Sequence, residues 1–153
     1  PVRDMETIQM EFVLADLEVL QKRYDKASKL MKTGEKKYKE ECAVLEKLLK
    51  HMEDGAPART LELSEEEKEL VRGFSLLSMK PMIYAANVEE DALSGVENNA
   101  LVAQVRQAAQ KEGAEVVVVS AKVEEELAQL EEEERTMFLN ELGLESAGLD
   151  RLV

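Results

Sequence analysis

Two short, wholly apolar runs limit the folds open to this chain more than any other feature: Met82-Ile83-Tyr84-Ala85-Ala86, and the four valines Val116–Val119. Runs of this length read as strands buried on both faces, as in a parallel sheet. Between them, residues from about 97 to 112 read as a helix that stops at Gly113. Strand, helix and strand over roughly 40 residues make a βαβ unit. Two strands and one crossover helix do not form a stable α/β domain, so further strands are expected from outside the sequence. Two acidic helices are expected after the second strand, at about 123–129 and 131–142.

The first third of the chain has a different texture. Val13, Leu17, Leu20, Tyr24, Ala27 and Met31 recur at steps of four and three, and so do Tyr38, Cys42, Leu45, Leu49 and Met52. That spacing is a coiled-coil seam. Thr33-Gly34 interrupts it, which predicts two helices folded back as an antiparallel hairpin, the first roughly 40 Å long. Gly55-Ala56-Pro57 closes the hairpin, and Ser64 with Glu67 forms a capping box for a short helix over about 65–73. The expected organisation is a helical hairpin over 4–56, a return segment over 57–79, and an α/β part over 80–153.

Charge divides the chain as sharply. Its net charge is −13, yet residues 22–39 hold eight Lys or Arg against Asp25 and Glu35, a net +6 that leaves −19 for the remainder. A basic tip on an acidic body can meet a phosphate backbone while the body is repelled, so Lys29, Lys32, Lys36 and Lys37 are candidate RNA contacts. The competing reading is a merely solvated helix end. A single cysteine, Cys42, rules out an internal disulfide and suggests a reducing compartment. It falls on the apolar seam and reads as packing; His51 reads as a surface residue. No run nears the roughly 18 apolar residues of a membrane span, and the expected state is a cytoplasmic monomer off the membrane. The start, Pro1-Val2-Arg3-Asp4, lacks an initiator Met and suggests an internal piece of a longer protein. The glutamate runs at 124–126 and 131–134 fit no defined metal loop.

Ligands of parallel sheets bind at the carboxyl ends of the strands. Here those ends are Asn87-Val88-Glu89-Glu90 and Ser120-Ala121-Lys122. In P-loop GTPases these positions hold the base-recognition loops. The stretch Lys80-Pro81-Met82-Ile83-Tyr84-Ala85-Ala86-Asn87-Val88-Glu89-Glu90-Asp91 resembles the corresponding strand of the YchF / Obg-like ATPase family. Glu112 to Val116 and Ser120-Ala121-Lys122 are similar to that family's second loop. Arg3–Ile8 with Leu14–Glu18 resembles the entry to its helical insert. Phe138–Leu144 and Gly148–Leu152 resemble the run out of its nucleotide-binding domain.

The resemblance implies the C-terminal part of a P-loop G domain bearing a long α-helical hairpin insert, from a protein that hydrolyses ATP or GTP and associates with ribosomes or RNA. It implies that Asn87 bonds the purine, Val88 lines its pocket, and Ser120 and Ala121 close the other side through backbone, with Glu90 and Lys122 in the same loops. Glu90 stands where a guanine-specific loop has a shorter Asp, and Val88 where it has Lys; losing a paired contact to the guanine edge removes several kcal/mol of discrimination. None of the seven glycines is followed by Lys, and there is no Asp-x-x-Gly. Ligands for the phosphates and Mg²⁺ therefore lie outside the chain, as does the family's TGS domain, and the chain alone is expected to be inactive. The competing class is a non-enzymatic adaptor, a coiled-coil hairpin on a degenerate α/β base that binds a protein or RNA partner.

Overall fold

The computed structural model describes residues 1–144, 146–148 and 150. Leu149, Arg151 and Leu152, part of the Gly148–Leu152 resemblance, lie outside the described residues. The chain is α/β and mostly helical, with a two-stranded parallel sheet among the described residues. It forms two compact units, Arg3–Pro81 and the residues from Met82 onward together with Pro1 and Val2.

In the first unit, α1 (Val2–Met31) and α2 (Lys36–Glu53) are joined by a turn at Thr33-Gly34, where Gly34 has φ +85°. Only glycine adopts that left-handed backbone without strain. Arg23 Nε donates to Glu41 at 2.7 Å, and Tyr24 Oη donates to Glu46 at 2.6 Å. Met10, near the start of α1, reaches Gly55 just past the end of α2. Early residues of one helix thus meet late residues of the other, and the pair is antiparallel.

The buried face of α2 is wider than the seam spacing predicts: Cys42, Leu45 and Met52 of that spacing are buried, and Glu41, Val44 and Leu48 are buried beside them. Leu49 of the spacing is only half-buried, and on α1 the last seam residue, Met31, is exposed. The cause is a third layer. Helix α3 (Glu65–Arg72) packs on α2, with a Lys47–Glu67 ion pair, and Val71, Phe74 and Leu76 join Val13, Leu20, Leu45 and Met52 in one core. A helix covered on two sides needs a wider apolar stripe than a two-helix seam provides. The capping box at Ser64 and Glu67 is present with both of its hydrogen bonds.

The return segment is fastened to α1 by Asp16, a buried carboxylate. It accepts from the Leu77 amide at 2.8 Å, the Ser78 amide at 2.7 Å and the Ser78 hydroxyl at 2.7 Å. The same hydroxyl accepts from the Ala58 amide at 3.1 Å. Arg23 lies 4.2 Å from the Phe74 ring centroid while it pairs with Glu41, a cation–π contact that adds to the fastening. Cys42 is buried, and burial pushes its thiol above its ordinary value.

In the second unit, β1 (Ile83–Asn87) pairs in parallel with β2 (Glu115–Val119), in register from Ile83↔Glu115 to Asn87↔Val119. The crossover helix α4 (Ala100–Glu112) is capped by Asn99, whose side chain accepts from the Leu101 and Val102 amides. It ends at Gly113 with φ +68°. Short helical turns at Glu90–Ala92 and Val96–Asn98 precede α4; α5 (Ala121–Leu127) and α6 (Glu132–Glu141) follow β2. Leu93, Val102, Val118, Val123 and Leu127 form the core. The strands are not buried on both faces as their composition predicts. Exposure alternates along β1, and Ile83 is 55% exposed. Burial on both faces needs a covering layer on each side, and the side chains on one face of β1 are open to solvent among the described residues. No helix among them is long and apolar enough to cross a membrane.

Replacing Asp16 by Asn swaps an acceptor of three hydrogen bonds for a group that carries donors against donors. Urea unfolding should report a loss of roughly 2–3 kcal/mol, whereas Asp25→Asn, on an exposed face of α1, should stay within about 0.5 kcal/mol.

Candidate functional site

The parallel register brings the carboxyl ends of β1 and β2 side by side. Pairing runs one residue past the strand, with the Val88 amide donating to the Val119 carbonyl at 2.8 Å. Asn87 then turns its side-chain oxygen to accept from the Ala121 amide at 2.9 Å, which leaves its amide nitrogen to donate elsewhere. One step further out, Lys122 Nζ donates to Glu90 Oε2 at 2.8 Å. Two bonds from different residues thus tie the loops together across the strand ends.

The six residues expected at these loops take different positions. Glu90 and Lys122 line a cleft of about 360 Å³ with Glu89, Asp91, Ser94, Glu141 and Leu142. Asn87 and Ala121 are exposed and bonded to each other. The Ala121 amide, expected to face a ligand, is engaged by Asn87. Ser120 is only 2% exposed and its carbonyl accepts from the Glu124 amide, so it braces the start of α5. Val88 is half-buried against the Leu93–Val118 core and is not among the residues lining the cleft. Glu141 and Leu142 come from the end of α6, some fifty positions from Glu90. No local pattern marks them, since only the fold brings them near.

The cleft is acidic, with Glu89, Glu90, Asp91 and Glu141 facing one cation, Lys122. Such a lining repels phosphate and suits an uncharged ring that offers hydrogen-bond donors. The hydrogen bond to Glu90, and then the charges of Glu90 and Glu126, hold the Lys122 ammonium above the ordinary lysine value. A raised lysine keeps its pairing below its ordinary value and loses it as pH climbs past the shifted one, so the pair is intact at neutral pH. Among the described residues, no group of three or more His, Cys, Asp or Glu could hold a metal ion.

In the other unit, Lys29, Lys32, Lys36 and Lys37 are all exposed around the turn between α1 and α2. Lys36 pairs with its helix neighbour Glu40, at 3.3 Å. His51 bonds to Thr60 at 2.8 Å.

Paired parallel strands with linked loops at their carboxyl ends place the chain in the α/β class, in which ligand sites commonly lie at those ends. Comparison with known proteins is more specific. No family model matches the chain. It is 46% identical over all 153 residues to the ribosome-binding ATPase YchF of Bacillus subtilis, spanning 42% of that protein, and 46% identical to that of Escherichia coli O157:H7, spanning 41%. The structure of the Schizosaccharomyces pombe YchF GTPase superposes with a TM-score of 0.84 at 26% identity, over 99% of this chain and 42% of that one. The chain belongs to the YchF family.

If Asn87 is what fixes the second loop, Asn87→Ala should raise the hydrogen-exchange rate of the Ala121 amide by about tenfold or more. Amides within β2 should keep their protection, because the strand ladder does not depend on the side chain.

Proposed function

We propose that this chain supplies the purine-recognising part, and a helical arm, of a protein that hydrolyses ATP or GTP. The observation that carries the reading is the linkage of the strand ends, Asn87 to the Ala121 amide and Glu90 to Lys122. The base would sit against these loops, with Asn87 Nδ2 as donor and Glu90 as acceptor at its edge. Ser120, buried below, and Val88, packed on the core, would support the loops from behind. The acidic cleft fits a neutral ring better than a phosphate, which agrees with phosphate and Mg²⁺ ligands elsewhere: no glycine here is followed by Lys. The names of the relatives, ATPase and GTPase, support the hydrolytic reading. They also support a cytoplasmic setting, since ribosome binding is part of the first name.

The arm is the hairpin of α1 and α2. Its exposed lysines lie in a segment of net +6, within a chain of net −13. That asymmetry favours contact of the tip, rather than the body, with ribosomal RNA. A coiled-coil adaptor without nucleotide would use the same tip, but it gives no account of the Asn87 linkage.

In a protein of the relatives' full length carrying this sequence, Asn87→Ala should weaken ATP and GTP binding by about tenfold or more in equilibrium titrations. Unchanged affinities would remove the base assignment. Separately, reversing Lys32, Lys36 and Lys37 to Glu should cut ribosome co-sedimentation at low salt roughly tenfold and flatten its salt dependence. Unaltered sedimentation would remove the arm's role and leave the base site standing.

A further inference from the structure

We propose that Lys122 sets the base selectivity of the cleft by neutralising Glu90, so that the carboxylate no longer favours guanine. The proposal rests on the base-site reading above and concerns which purine that site prefers.

The argument begins with the placement of the pair. Glu90 opens the helical turn after β1, and Lys122 is the second residue of α5. The parallel register and the Asn87–Ala121 bond hold these two positions opposite each other, and Nζ lies 2.8 Å from Oε2. The pair lines the cleft with Glu89, Asp91 and Glu141, and Lys122 is the single basic residue among them. The Glu90 side chain is 34% exposed and that of Lys122 is 63% exposed, so both can still meet a ligand.

The chemistry of the two bases does the rest. Guanine presents two adjacent donors, its N1–H and its exocyclic amine. A free carboxylate accepts from both at once, in a charge-assisted bidentate pair. Adenine presents one donor, its exocyclic amine, beside a ring nitrogen lone pair that a carboxylate repels. Even with its longer side chain, an unpaired Glu90 would favour guanine over adenine wherever it reached that edge. With Oε2 engaged by an ammonium and the charge neutralised, the bidentate contact is lost, while one oxygen can still accept a single donor. Lys122 itself can donate to the ring nitrogen of adenine. Its pairing thus levels the two bases or tilts the site towards adenine.

The test uses a protein of the relatives' full length carrying this sequence, titrated with ATP and GTP tagged by a fluorophore on the ribose. Lys122→Met should raise GTP affinity relative to ATP by about tenfold, and Lys122→Arg should keep the parent ratio. On a Glu90→Gln background, Lys122→Met should shift the ratio by less than about twofold. Equal changes for both nucleotides, or a shift that survives in the Glu90→Gln background, would overturn the proposal, since Lys122 would then act on phosphate or shape. If Asn87→Ala weakens both nucleotides but Lys122→Met leaves the ratio unmoved, selectivity by Lys122 fails alone. If neither nucleotide binds, or Asn87→Ala has no effect, both readings fail.

Discussion

The bond from the Ala121 amide to the Asn87 side chain is a small interaction on which the candidate site depends. The strand ladder ends at Val88 and Val119, and among the described residues no further backbone hydrogen bond joins the two loops. Asn87 continues the linkage with a side chain that accepts much as a strand carbonyl would. It also satisfies an amide at the first turn of α5, where helix geometry leaves N–H groups without partners. Next to it, Lys122 Nζ donates to Glu90 Oε2 at 2.8 Å, a second link between the same loops.

The helical unit solves a related problem with a buried charge. A segment such as Leu76–Met79 has backbone amides that need acceptors and no neighbouring strand to supply them. Asp16 supplies them from α1, taking two amides and one hydroxyl in a buried position. A carboxylate is costly to bury alone, and three donors offset that cost. The return segment is thereby part of the hairpin's core, and its Phe74 and Leu76 widen the buried face of α2 beyond a two-helix seam.

The two units divide the chain's electrostatics as well. Exposed lysines gather at the turn between α1 and α2, whereas carboxylates gather around the cleft. YchF relatives share the whole of this span, which makes up about two fifths of their length.

Local chemistry in the sequence settled the element types. The valine run, the capping box at Ser64 and Glu67, and the glycines at 34 and 113 each act over a few residues, so they are legible without the fold. The paired loops at Asn87 and Ser120 were legible for the same reason, since a parallel βαβ unit leaves its strand ends adjacent. Other features belong to the tertiary structure alone. The widened buried face of α2 depends on α3, and the open face of β1 depends on what covers it. The engagement of the Ala121 amide, the burial of Ser120, and the presence of Glu141 and Leu142 in the cleft depend on residues far apart in the chain. Periodicity records which residues are apolar; the neighbours they meet are decided by packing.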